Sequence, residues 1–289
     1  MNGIISVLKP PGMSSSGVVV FLRRILGERR VGHAGTLDPG AAGVLVVLAG
    51  RSTRLSDYIM DGRKTYRAEV TFGFATDTLD TYGKLTERKV CSISREDVLR
   101  AAEGFLGTIW QTPPAYSAIK IDGRKSYELA RKGVAVAKPP RQVEIYAIRL
   151  IEQTGENRFL MEIECSKGTY VRTLLADIGG VLGVPACTSF LMRTCSGGHD
   201  ISLAYTLDEL KEMAERGDFS FLEKPDSALG DMPRLDLPKE WEFALQNGQL
   251  IRVDPPKAHT FRIYCDGCFY GLGRKDEEEE GVRLVTALY

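Results

Sequence analysis

A chain of 289 residues with 43% hydrophobic and 26% charged residues can bury a sizeable core without disulfide or metal staples, which excludes a mini-protein scaffold and a disordered tract. No apolar run approaches the roughly 18 residues of a membrane span, and the opening MNGIISVLKPPG carries neither a basic leader nor a cleavage site, so a soluble, cytoplasmic protein is expected. Net charge is zero, yet residues 1–67 hold ten Lys and Arg against four acids, and positive charge concentrated in one part of a fold points to a phosphate-bearing partner.

GIISVLK (3–9) reads as a strand ending at Pro-Pro-Gly. Ser14 or Ser15 then caps a helix in which Val18, Phe21, Leu22, Ile25 and Leu26 recur at helical spacing, while Arg23, Arg24, Arg29 and Arg30 lie off or just beyond that stripe. RRVGHAGTLDPGAAGVLVVL (29–48) follows, a glycine-rich turn holding one carboxylate, Asp38, and then a continuous apolar run that predicts a strand buried on both faces. KTYRAEVTF (64–72) alternates strictly, with Tyr66, Ala68, Val70 and Phe72 on one face.

Ser94 with Asp97 predicts a capped helix through Leu106, and Thr206 with Glu209 another through Arg216. Between them, strands are predicted at about 141–154 and 157–165 and a helix from Thr169 to about Ile178. The stretch 223–240 concentrates Pro, Asp and Gly as a linker does, and 241–289 reads as one short helix and three or four short strands. Strands and helices mix without regular βαβ alternation. The expected fold is therefore α+β, a mixed, largely antiparallel sheet flanked by helices and loops, with a small C-terminal β-barrel-like unit. Domains are placed at 1–232 and 233–289.

The six cysteines are scattered and sit mostly in apolar runs, as small buried hydrophobes do in a reducing compartment. Cys265-Asp-Gly-Cys268 has metal-like spacing but no second ligand pair to match, so it predicts a hairpin turn with two incidental thiols, and no metal is expected. The acidic cluster DEEEE (276–280) reads as a solvated loop.

The motifs NGIISVLKPPGMSSS, GHAGTLDP, KTYRAEVTFGFATDTLDTYG, PPAYSAIK and SKGTYVRTL span nearly the whole chain, and in this order it resembles the TruB family of tRNA pseudouridine synthases. The resemblance implies the pseudouridine synthase fold and isomerisation of uridine 55 in the T loop of tRNA. Uracil is cut from its sugar at N1, turned and rejoined through C5 with no net gain or loss of atoms, so no cofactor is implied.

On this resemblance Asp38 is the catalytic carboxylate, although Asp-Pro-Gly is also good turn chemistry. Arg172 is its ionic partner, where an arginine on an amphipathic helix would otherwise face solvent. Tyr66 stacks on the target base, or simply packs in the core. His33 holds the base out of its loop, or merely bonds backbone. Leu191 lines the pocket unless it is only core. Lys9 supports the active-site loop, and Tyr170 is placed with the substrate-binding residues.

Residues of about 116–145 resemble the RNA-clamping insertion of stand-alone members, a short helix with Arg124, Lys125, Arg131 and Lys132. Action without guide RNA or an obligate protein partner is thereby implied, a monomer is expected, and the tail resembles a PUA-like domain that touches the RNA's acceptor end. Four positions depart from the family pattern: Leu8, Gly17, Gly40 and Ala42. The last two predict a looser Asp38 loop. Two rival readings are an RNA-binding or tRNA-folding protein in which catalysis is secondary, and a nucleoside hydrolase that releases uracil.

Overall fold

The structure, a computed structural model, describes residues 1–116, 120–121, 124–125 and 138–289. In chain order its strands are β1 (Gly3–Lys9), β2 (Val31–His33), β3 (Ala42–Ala49), β4 (Lys64–Phe72), β5 (Phe74–Thr76), β6 (Leu85–Arg88), β7 (Gly107–Gln111), β8 (Lys120–Ile121) and β9 (Arg124–Lys125). They continue as β10 (Arg141–Gly155), β11 (Arg158–Cys165), β12 (Ala186–Ser196), β13 (His199–Asp200), β14 (Arg234–Leu237), β15 (Phe261–Cys265), β16 (Cys268–Lys275) and β17 (Val282–Ala287). The helices are α1 (Ser15–Leu26), α2 (Ser56–Met60), α3 (Arg95–Glu103), α4 (Val171–Val181), α5 (Leu207–Glu215) and α6 (Glu242–Gln246).

The main sheet runs β1-β3-β12-β4-β11-β10-β7, with β2 paired to β3 and β13 to β12; the β3–β12 pair is parallel and the others are antiparallel. The fold is thus the mixed α+β arrangement that the sequence predicts. Alternation assigns the two faces. On one, Ile5 and Val7 of β1, Leu45 and Val47 of β3, and Tyr66, Ala68 and Val70 of β4 meet α1 through Val18 and Leu22 and α4 through Leu174, Leu175 and Ile178. On the other, Ile4 with Val44, Val46 and Leu48 packs against Leu55 and Ile59, and against Leu272 and Leu288 of the C-terminal segment. Strand β3 is therefore covered on both sides, which is why its sequence is apolar without interruption.

The second sheet runs β14-β15-β16-β17 and has its own core of Phe261, Ile263, Tyr270, Val282 and Leu245. Cys265 and Cys268 pair across a tight turn whose central residues, Asp266 (φ 50°) and Gly267 (φ 74°), are both left-handed, as a type I′ hairpin requires. The spacing of those two thiols is turn geometry.

Several element boundaries shift from the sequence reading. Helix α3 has the predicted capping box of Ser94 and Asp97 but stops at Glu103, before Gly104, rather than at Leu106. Helix α4 starts at Val171, two residues later than predicted, because Tyr170 is held extended at its N-cap. Arg124 and Lys125 do not sit on a helix; they form β9, paired with β8 across an Asp-Gly dipeptide, a strong hairpin signal. Arg131 and Lys132 lie outside the described residues.

Candidate active site

Asp38 lies in the turn between β2 and β3, and its loop is fastened from several directions. Buried Ser15, the first residue of α1, both donates to Leu37 O at 2.8 Å and accepts from Leu37 N at 2.9 Å. Gly12 N donates to Pro39 O at 2.8 Å, and Ala41 N closes the turn on Asp38 O at 3.1 Å. Lys9, fully buried at the end of β1, donates through Nζ to Pro10 O (2.8 Å), Met13 O (2.6 Å) and Pro39 O (3.3 Å), joining the β1–α1 connection to the Asp38 loop. The departure at Gly40 is filled by another side chain: a Cβ there would come within 2.2 Å of the Tyr82 ring, so the aromatic lies directly over that glycine. The loop is not loose, contrary to what Gly40 and Ala42 predict.

Arg172, only 4% exposed on the first turn of α4, faces this loop and not solvent. Its Nη2 lies 2.8 Å from Asp38 Oδ2, and its Nη1 lies 3.4 Å from Asp80 Oδ2. The same guanidinium donates to Thr78 O and to Tyr116 O. Its direction is set by Gln111 at the end of β7, a buried amide that accepts from Tyr170 N at 2.7 Å and donates to Tyr170 O at 3.1 Å. Asp80 is fixed in turn, its Oδ1 accepting from Thr78 Oγ1 (2.7 Å) and Tyr82 N (3.1 Å). Between Thr78 and Asp80, Leu79 adopts φ 62°, a left-handed conformation costly for a branched apolar residue and of the kind that collects at functional sites.

These groups open into a cavity of about 520 Å³, within the range of small-ligand sites. Asp38, Tyr66, Tyr170, Arg172 and Leu191 line it, together with Lys64, Arg141, Lys167 and Arg193. Burial pushes the Asp38 carboxyl above the ordinary carboxylate range and neighbouring Asp80 adds to the rise, while Arg172 and, more weakly, Lys9 oppose it. Burial likewise raises the Tyr66 phenol, with the Arg193 guanidinium pulling the other way. Lys9 and Lys64 are both lowered to about 8, chiefly by desolvation. A carboxylate gripped by a guanidinium, beside a tyrosine ring and a leucine, can receive a flat polar ring and act on an atom at its edge.

The structure thus brings together Asp38, Arg172, Tyr66, Tyr170 and Leu191, with Lys9 behind the loop. His33 ends β2, paired with Val47, and among the described residues it is not part of the cavity wall. Arg124 and Lys125 form the short β9 strand. Sequence reasoning missed Asp80, Gln111, Lys64, Arg193 and the anchoring role of Ser15. For Asp80 a signal was present, the acid- and glycine-marked turn DTLDTYG within a motif already singled out.

Residues 23–171 match the model of the TruB family pseudouridylate synthase (N terminal domain). The chain is 45% identical to tRNA pseudouridine synthase B of Moorella thermoacetica over 87% of this chain and 84% of that protein. It is 43% identical to tRNA pseudouridine synthase B of Caldanaerobacter subterraneus subsp. tengcongensis over 96% and 97%. Among solved structures, a chain of an H/ACA RNP bound to a substrate RNA containing 2'-deoxyuridine is similar in fold, with a TM-score of 0.74 at 20% identity, over 99% of this chain and 85% of that one.

Proposed function

The chain belongs to the TruB family of pseudouridylate synthases, which makes it an isomerase of RNA uridines, and from that premise we propose that it converts uridine 55 of the tRNA T loop to pseudouridine. The observation that carries this reading is the Asp38–Arg172 pair, 2.8 Å apart at the wall of a cavity that Tyr66 and Leu191 also line. A base inside a folded loop must be extruded before it can reach such a carboxylate, and lost stacking must be replaced by protein contacts. Tyr66 supplies an aromatic face and Leu191 an apolar one. His33, at the entrance to the Asp38 loop, holds the extruded arrangement, and Lys9 keeps the loop in place.

In the reaction the N1–C1′ bond breaks with its electron pair left on uracil, the base turns, and C5 bonds to C1′. The proton lost from C5 is balanced by one gained at N1. Asp38 acts while ionised, and Arg172 keeps it so against the desolvation that raises its pKa. The enzyme works without guide RNA and as a monomer, with the residues around Arg124 and Lys125 and the PUA-like C-terminal sheet extending its grip on the tRNA.

The test is incubation of the protein with a tRNA transcript and with its isolated T stem-loop, followed by nucleoside analysis. Pseudouridine at position 55 is expected without any added RNA. Free uracil would reassign the protein as a hydrolase, and unchanged uridine would overturn the reading.

A further inference from the structure

The reaction as described uses one carboxylate, yet the ground beneath it is cationic. Lys9, Lys64 and Arg193 are 0%, 4% and 1% exposed, and among the described residues none has a carboxylate within 4.0 Å. They bond main-chain carbonyls, Val44 O (2.8 Å) and Gly35 O (3.1 Å) for Arg193 and Met60 O and Gly62 O for Lys64, and Arg193 also bonds the Tyr66 side chain. Burying a cation without a counter-ion is costly, and carbonyl dipoles repay only part of it.

Register shows that the grouping is built by the sheet. Lys9 pairs with Gly43, Gly43 with Arg193, and Arg193 with Tyr66, one row across four adjacent strands. Lys64 lies two residues before Tyr66 on the same strand and therefore on the same face. Gly43 lets the row close up: its φ of +107° favours glycine, and a Cβ would stand 2.1 Å from Arg193 O. Lys64 and Arg193 both reach the cavity wall beside Tyr66. With Arg172, Arg141 and Lys167 included, five cations line the cavity against the one carboxylate of Asp38 among the described residues.

Resting on the proposed uridine isomerisation, we propose that Lys64 and Arg193 form an electrostatic floor that stabilises the negative charge uracil carries when its N1–C1′ bond breaks. That cleavage leaves the electron pair on N1, delocalised onto the ring oxygens, and preorganised positive charge in a low-dielectric site stabilises such an anion more than it stabilises neutral uridine. Both residues act through space, Arg193 also holding Gly35 in the loop that carries Asp38. The floor accelerates detachment on the order of tenfold to a hundredfold.

The test compares single-turnover consumption of tRNA carrying uridine or 5-fluorouridine at the target position, since 5-fluorouracil is the more stable leaving anion and needs less help. Lys64→Gln removes the charge but keeps an amide that can bond both carbonyls, and Lys64→Arg keeps the charge. The expected result is a loss of about tenfold or more on uridine for Lys64→Gln, a several-fold smaller loss on 5-fluorouridine, near wild-type rates for Lys64→Arg, and unchanged tRNA affinity. Equal losses on both substrates, or equal losses for both variants, would overturn the proposal. If circular dichroism finds Lys64→Gln unfolded, Lys64→Met carries the same comparison. Wild-type protein that leaves uridine unchanged would sink the parent reading, whereas active wild-type protein with no leaving-group dependence in the variants would sink this inference alone.

Discussion

Arg172 stands between two carboxylates, its Nη2 2.8 Å from Asp38 and its Nη1 3.4 Å from Asp80. The planar fork lets one cation engage both at once, and the two main-chain carbonyls it also meets leave it no freedom to swing away. An ammonium on a flexible stem cannot reproduce that geometry.

Arg172→Lys and Arg172→Met are therefore expected to lower kcat by about a hundredfold, with a smaller change in tRNA affinity. The pH profile separates this from simple misfolding. Burial raises the Asp38 pKa and Arg172 holds it down, so removing the guanidinium lifts it further. On the proposed mechanism activity needs the ionised carboxylate and is lost as pH falls through that pKa, so the acid limb of kcat should move to higher pH. An unmoved limb would contradict the pairing.

Asp38→Asn keeps the loop's shape, since Ser15, Lys9 and Gly12 grip its main chain and not the carboxylate. Pseudouridine formation should fall on the order of ten-thousandfold while the tRNA dissociation constant changes only a few-fold. Retained pseudouridine would remove Asp38 from the chemistry. Retained biological effect without pseudouridine would favour a protein that acts by folding tRNA.

Gly43→Ala should destabilise the fold by at least about 2 kcal/mol, because alanine meets both the positive φ and the Arg193 carbonyl at 2.1 Å. Urea unfolding would register a lower midpoint with an unchanged slope. A loss below about 0.5 kcal/mol would mean that β3 and β12 can part without consequence.

How much of this was legible beforehand depended on how locally each feature is written. The Asp38 loop, the one-faced burial of Tyr66, Ala68, Val70 and Phe72, and the turn at Cys265–Cys268 are contiguous in sequence and were readable as patterns. Arg193, Lys64 and Gln111 were not, because each acquires its meaning from strand register. Nothing near Arg193 in SFLMRTC announces that it will lie opposite Tyr66 and reach back to Gly35. Burial of an arginine without a carboxylate contradicts composition rules, so pattern reasoning assigns such a residue to the surface. Arg172 escaped that fate in the sequence reading only through its motif.

Affinity for tRNA should fall steeply with salt. Arg141 lies 4.8 Å above the Tyr170 ring and, with Lys167, lines the cavity, past which the proposed function brings the phosphates flanking an extruded nucleotide. Neutralised phosphates release counter-ions, so the dissociation constant should rise by roughly tenfold or more between 50 and 200 mM salt. Arg141→Gln should make the logarithmic slope shallower by about one. A flat response would place the RNA elsewhere on the protein.

The two buried lysines should make activity and stability respond to pH in opposite directions. Lys9 and Lys64 titrate at about 8 in the folded protein against an ordinary value of 10.5, because desolvation disfavours their charged forms. As pH rises through 8 the site loses positive charge, and kcat should decline by about tenfold toward pH 9.5 before levelling. Over the window from about 8 to 10.5 the unfolded chain binds more protons at these two positions than the folded one does, so their contribution to stability rises with pH. The measurement pairs single-turnover rates with urea midpoints in the same buffers. Lys64→Arg, which stays charged, should move the alkaline limb upward. Rate and stability falling together would mean that unfolding, and not discharge of the two ammonium groups, sets the alkaline limit.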